Sequence, residues 1–259
     1  HRIMITLETL KERPLSYSSL KEFSKSPAHY INYLNKPKET TPALQFGSLL
    51  HLLLLEPQEL NNVYAVSPKF DMRKTADKEA YAEFQAKSEG KEIIPETLLA
   101  EVHQLAELVK DNPMWRVAVE GASFEQKDTI EIYDLPFVRI RDIVKSDLTI
   151  DVKTVQSGYI DDIIKDFYNH KYYLQAAIYG EPFSFYVVEK SAPFDNGLIG
   201  TSQEFIDYGK RELERLCLGF NLCLSNPELF NKGYEFWYEI AGIKPIVKLP
   251  KWVINVKDN

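Results

Sequence analysis

Val138-Arg139-Ile140-Arg141-Asp142-Ile143-Val144, Lys145-Ser146-Asp147-Leu148 and Thr149-Ile150-Asp151-Val152-Lys153-Thr154 run consecutively, and their reading decides the fold. Two alternating, β-branched stretches flank a short polar segment, the pattern of a β-hairpin. With its turn centred on Ser146 and Asp147, counting back along both strands sets Asp142 opposite Asp151 and Ile140 opposite Lys153. Side chains alternate across a strand, so Asp142, Asp151 and Lys153 share one face. Asp147 is a turn residue.

Opposed residues have Cβ atoms about 5 Å apart, where two carboxylates repel by roughly 3 kcal/mol at an effective dielectric near 20. The pair therefore asks for a cation, either the Lys153 ammonium or a divalent metal held by carboxylate oxygens. Metal, carboxylates and lysine together suit phosphodiester hydrolysis, because the metal activates water and the lysine stabilises developing charge. Spacing alone fits a second reading equally well, in which both aspartates face solvent and Lys153 is an ordinary ion-pair partner.

Working outward, strands are expected near 122–133, 136–145 and 148–153, with a break at Asp134 to Pro136. Helical patterns follow at Tyr159–Tyr168 and Tyr172–Tyr179, then an apolar strand Phe183–Glu189 and a long helix around Gln203–Leu224. Upstream, Ser16 and Ser18 offer caps for a helix through Phe23, and Ser26-Pro27 opens another through Leu34. Leu44–Leu55 reads as a buried helix ending before Pro57, and Asp71–Gly90 and Pro95–Lys110 as peripheral helices. The order implies an α/β fold with a central mixed sheet flanked by helices, organised as one domain over 1–259. Within it, 1–115 is mainly helical and carries His51, 116–190 holds the catalytic sheet, and 191–259 adds strand and helix elements.

The 259 residues are 44% hydrophobic and 27% charged, enough for a sizeable core. A formal charge of −7 excludes a generally basic nucleic-acid coat, so any DNA site must be a local basic channel. Arg139, Arg141, Lys165 and Lys171 cluster around the hairpin and could form it, although charge runs are usually solvated faces. Cys217 and Cys223 are too few for a disulfide framework or a four-cysteine iron–sulfur cluster, which points to a reducing, cytoplasmic setting. The longest apolar run, Leu49–Leu55, is interrupted by His51 and falls short of the roughly 18 residues of a membrane span. The opening residues hold no apolar stretch of the secretory kind.

Several residues have two readings each. His51 lies one helical turn after Gly47 and could join a metal shell or be a satisfied core histidine. Gln175 and Tyr179, at i and i+4, could contact phosphate or water, or simply edge a packing helix. Glu120 could supply a third carboxylate or sit on the surface. Phe167, Tyr168, Tyr172 and Tyr173 could stack on bases, but core packing accounts for most of them.

Taken in order, Gly47-x-x-x-His51, Glu120, Asp142, Asp151-Val152-Lys153-Thr154 and Gln175-x-x-x-Tyr179 resemble the RecE-like (exonuclease VIII) branch of the PD-(D/E)xK nucleases, relatives of RecB nuclease domains and lambda exonuclease. Ser16-Tyr17-Ser18-Ser19-Leu20 and Ser26-Pro27-Ala28-His29-Tyr30 are similar to that family's opening helices. Gly233-Tyr234 with Leu249-Pro250-Lys251-Trp252 is similar to its end. The resemblance implies a Mg²⁺-dependent exonuclease, with Mn²⁺ as a substitute, acting 5′ to 3′ on linear double-stranded DNA. It implies His51, Asp142, Asp151, the Val152 carbonyl and Glu120 as metal ligands, Lys153 as the catalytic lysine and Gln175 as the residue positioning water or phosphate. Arg139, Arg141, Lys171 and Tyr179 would contact DNA. Two departures stand out: Arg139-Ile140-Arg141 where the family has Arg-Pro before the aspartate, and Tyr173 where it has histidine.

Family members form rings that thread DNA, which would reconcile net acidity with a basic channel, and work with a RecT-like annealing protein in phage or prophage recombination. Two other readings compete. One is a nuclease of the same fold cutting single-stranded or branched DNA. The other is a silent DNA-binding module, which would gain by losing one of the two repelling aspartates.

Overall fold

The alternation along 122–153 resolves into three consecutive strands in a computed structural model that describes residues 6–37 and 40–242. The strands are β1 (Tyr64–Ser67), β2 (Glu92–Pro95), β3 (Ser123–Ile132), β4 (Leu135–Val144), β5 (Thr149–Val155), β6 (Phe183–Glu189) and β7 (Asn196–Gly200). Five form one sheet in the order β3-β4-β5-β6-β7. The β4–β5 and β6–β7 pairs are antiparallel and β5–β6 is parallel, so the sheet is mixed. A parallel pair needs a crossover, and the helices Ile160–Asn169 and Tyr172–Tyr179 supply it. The observed pairs Ile143↔Ile150 and Val144↔Thr149 are those that a turn at Ser146 and Asp147 dictates.

The chain divides into two compact units that follow packing rather than sequence order. One comprises Lys38–Ile130 and Val138–Leu213; the other gathers Glu131–Phe137 with the chain ends His1–Pro37 and Glu214–Asn259.

In the first unit, Thr41 caps the helix Pro42–Leu55 by accepting from the Leu44 amide, and Pro42 occupies its first turn. Its Phe46, Leu49, Leu50 and Leu53 pack with Val102, Leu105 and Val109 of the helix Glu96–Asp111 and with Ile143, Ile150, Val152 and Tyr186 of the sheet. Leu50 is fully buried, so truncation to alanine is expected to cost about 2–5 kcal/mol. A second cluster joins Val155, Phe183, Phe185 and Val187 to Ile163, Phe167, Ala176 and Ile206. Asp151 pairs in register with Phe185 and Lys153 with Val187, so both emerge on the side of this second cluster.

In the other unit, Ser16 and Ser19 form a capping box on the helix Tyr17–Phe23, and Ser26 caps Pro27–Asn35. Phe23, Tyr30, Phe220, Phe230 and Phe236 meet edge to face or tilted in its core. Cys217 and Cys223 are buried free thiols, each pushed up to about 12 by burial. Tyr133 and Asp134, both at positive φ, form the β3–β4 turn.

Sequence reading did not foresee the small parallel sheet β1–β2 or the helix Pro113–Val119, and it placed a strand within 191–259 without the bounds Asn196–Gly200 of the edge strand β7. Four- and five-residue strands give too few alternations to register. Leu249–Trp252 lies outside the described residues.

Candidate active site

The β4–β5 ladder ends at Ile143↔Ile150, and beyond it side chains take over. Asp142 Oδ2 accepts the Val152 backbone N–H at 2.8 Å, and His51 Nε2 lies 2.9 Å from the same oxygen. His51 reaches this point from the Pro42–Leu55 helix. Its Nδ1 faces Glu125 Oε1 at 3.5 Å, too long for a hydrogen bond. Ligand atoms of His51, Glu125 and Asp142 lie within 4.8 Å of one another.

Glu125 was not anticipated. Its backbone sits in the left-handed region at φ 50, within β3, which costs of order 1 kcal/mol or more in a non-glycine residue. Glu120, the carboxylate expected here, is an exposed residue that ends the helix Pro113–Val119. Glu125 therefore stands where Glu120 was expected. A signal for it existed: a two-residue turn at Tyr133–Asp134 pairs Ile132 with Leu135 and, counting back, Glu125 with Asp142. The same count pairs Asp128 with Arg139, which form an ion pair at 2.7 Å.

Asp151 is 2% exposed and makes a separate set of contacts. Lys153 Nζ forms an ion pair with its Oδ2, and Gln175 Nε2 donates to its Oδ1. Burial, then the Asp142 charge, raises the Asp151 pKa against the pull of Lys153. Lys153 keeps its proton: burial opposes it, but the charge and hydrogen bond of Asp151 and the charge of Asp142 outweigh burial and raise its pKa. The repulsion expected between the aspartates is thus answered by two groups, the His51 imidazole beside Asp142 and the Lys153 ammonium beside Asp151.

Burial alone would lower the His51 pKa, but its bond to Asp142 and the charges of Asp142, Glu125 and Asp151 hold it at about 9. Burial raises Glu125 to about 7 despite the nearby imidazole. Among the described residues, Glu125 Oε1 and Gln175 Oε1 are buried without a hydrogen-bond partner. Such orphaned acceptors are uncommon and costly, at about 1–3 kcal/mol each. One imidazole and two carboxylates, one with an orphaned oxygen, make a donor set able to hold a divalent metal ion. A cleft of about 470 Å³ opens beside them, lined by Gly47, Ser48, His51, Glu56, Glu125, Val152, Lys153, Thr154 and Tyr172 among others. A Cβ on Gly47 would meet Thr154 Oγ1 at 3.4 Å, an ordinary contact, so close approach alone does not demand glycine there.

The remaining expected residues are placed as follows. Tyr179 is hydrogen-bonded to Gln175 and pushed up to about 12 by burial and the Asp151 and Asp142 charges. Lys171 precedes the Tyr172–Tyr179 helix in a left-handed conformation, and its Nζ lies 3.4 Å from the Tyr173 hydroxyl. Arg139 is held in place on three sides: its Nε and second terminal nitrogen grip Asp128 at 2.7 and 2.9 Å, and the other donates to the Tyr179 carbonyl at 2.9 Å. It ties β4 to β3 and to the end of the Tyr172–Tyr179 helix. Arg141 shares Asp128 at 3.2 Å.

With this geometry in place, the family described as "PDDEXK-like domain of unknown function (DUF3799)" matches residues 16–228. The chain belongs to this family. Its PDDEXK-like core is the α/β sheet described above, with Asp142 on β4 and Asp151 and Lys153 on β5. A similar fold occurs in a crystal structure at 2.19 Å described as a "Putative exonuclease" from Eubacterium rectale. That likeness covers 97% of this chain and 95% of the other, with a TM-score of 0.59 and 14% identity, and at that identity it shows the fold alone. No curated protein matches the chain. Among the described residues no helix of this PDDEXK-like domain is long and apolar enough to cross a membrane.

Proposed function

We propose that this protein is a metal-dependent exodeoxyribonuclease of RecE-like type. It degrades linear double-stranded DNA 5′ to 3′ and leaves single-stranded tails for phage or prophage recombination in the bacterial cytoplasm. The observation that carries the reading is the convergence of His51, Glu125 and Asp142, with its orphaned Glu125 oxygen, beside Asp151, Lys153 and Gln175. His51, Glu125 and Asp142 would hold Mg²⁺, or Mn²⁺ in its place, with Asp151 and the Val152 carbonyl as further oxygens. A bound divalent ion supplies an activated water and neutralises phosphate charge.

The chain's own groups have defined tasks in this reading. Lys153, kept protonated, offers a cation to the charge that develops on the phosphate. Gln175 fixes one oxygen of Asp151 and presents its unused Oε1 as an acceptor for a water O–H. Asp142 is oriented by the Val152 amide, so it needs no reorganisation when substrate arrives. Lys171 and Tyr179 contact the DNA strand. A ring of subunits around the duplex and a RecT-like annealing partner complete the proposal, because a chain of charge −7 must confine its DNA contacts to a channel.

The test is incubation with linear and covalently closed circular duplex DNA, with Mg²⁺ or chelator, beside Asp151→Ala and Lys153→Ala variants. Loss of linear DNA only, dependent on metal and abolished in both variants, is expected. Cutting of circles would make the activity endonucleolytic, and no cutting in Mg²⁺ or Mn²⁺ would favour the silent binding module.

A further inference from the structure

Tyr172 is the first residue of the Tyr172–Tyr179 helix, preceded by Lys171 in a left-handed conformation, so the turn fixes where its ring begins. That ring is packed from several sides. Phe167 meets it edge to face at 5.1 Å, His170 stacks on it at 5.5 Å, and Phe185 of β6 lies tilted at 5.8 Å. Against this rigid ring sits the Lys153 ammonium, 4.7 Å from the centroid. Tyr172 and Lys153 both line the cleft beside His51 and Glu125.

We infer that Tyr172 is the positioning residue of the catalytic lysine, holding its ammonium at the cleft through its ring face; the inference rests on the nuclease reading of Lys153. Lysine carries its charge on a flexible four-carbon stem, and fixing that stem costs rotamer entropy. The ion pair with Asp151 holds it from one side only, and its pull weakens whenever Asp151 shares its charge with another cation. The ring does not lose its attraction under those conditions, because the electron density of its face is independent of Asp151. Packing by Phe167, His170 and Phe185 in turn keeps the ring from following the lysine. What matters is the aromatic face rather than the phenol, so phenylalanine should substitute and an aliphatic side chain of similar bulk should not.

Two readouts test this, one independent of activity. In protein carrying ¹³C-labelled lysine, the ring current should shift the Lys153 ε-methylene signal upfield, and that signal should be missing in Lys153→Ala. It should persist in Tyr172→Phe and return to the free-lysine position in Tyr172→Leu. On linear duplex DNA, Tyr172→Leu should lose about ten- to thirty-fold in kcat with KM within about twofold, while Tyr172→Phe stays near wild type. An unshifted wild-type signal would overturn the proposal even if the leucine variant failed to fold. Equal damage from phenylalanine and leucine, or a wild-type kcat in Tyr172→Leu, would also overturn it. If Lys153→Ala kept full activity, the underlying reading of the lysine would fall while the shift pattern still reported where its ammonium sits.

Discussion

The Asp142 carboxylate accepts the Val152 amide at 2.8 Å, two residues past the last observed rungs of the β4–β5 ladder. A side chain thus replaces a backbone carbonyl, letting the strands part without leaving a buried N–H unpaired. Asp142→Asn keeps an acceptor for that amide and should fold with a melting temperature near wild type. Its divalent-ion affinity should nevertheless fall by about tenfold or more, because a charged ligand becomes neutral. Circular dichroism melts and metal titrations would separate the two effects, and unfolding without a change in affinity would argue for a purely structural aspartate.

Glu125 and Glu120 make opposite predictions. Glu125→Gln should abolish metal-dependent cleavage at ordinary Mg²⁺ concentrations, whereas Glu120→Gln, on an exposed side chain, should leave it unchanged. Parallel assays over a Mg²⁺ series would decide, with restored cleavage at high Mg²⁺ in Glu125→Gln marking a weakened site.

Metal affinity should rise with pH. Without metal, His51 holds its proton up to about pH 9 and Glu125 up to about pH 7. A divalent ion must displace those protons, so binding releases them and tightens as they leave. Mn²⁺ titrations at pH 6.5 and 8.5 should differ by roughly tenfold or more, tighter at the higher pH. Equal affinities would mean that neither group has to lose a proton.

Arg139→Lys should destabilise the fold while leaving the cleft chemistry intact. The guanidinium grips Asp128 with two nitrogens and a helix-end carbonyl with a third, a fork that an ammonium cannot reproduce. Losses of about 1–3 kcal/mol are expected, moderated by the partial exposure of Asp128. Urea denaturation would measure it, and a DNA-affinity defect at unchanged stability would return Arg139 to the DNA interface.

The hairpin bearing Asp142, Asp151 and Lys153 was legible because period-two alternation and a two-residue polar turn leave one register open, and a slip would reverse every side chain. Glu125 was hidden by its own backbone: a left-handed residue inside a strand breaks the alternation by which strands are read. Glu120 attracted attention only by preceding the strand. The ion pair of Arg139 was not legible because a sequence shows its charge but not Asp128 across the hairpin. The division into two packing units was not readable either, because Glu131–Phe137 joins residues from both chain ends.

His51, Glu125 and Asp142 should together hold a divalent ion. Mn²⁺ added to the purified protein, with the free ion followed by its paramagnetic resonance signal, tests this most directly. Saturable binding is expected, weakened by about tenfold or more in each of His51→Ala, Glu125→Gln and Asp142→Asn. Binding that is absent in the wild type, or that survives all three substitutions unchanged, would contradict it.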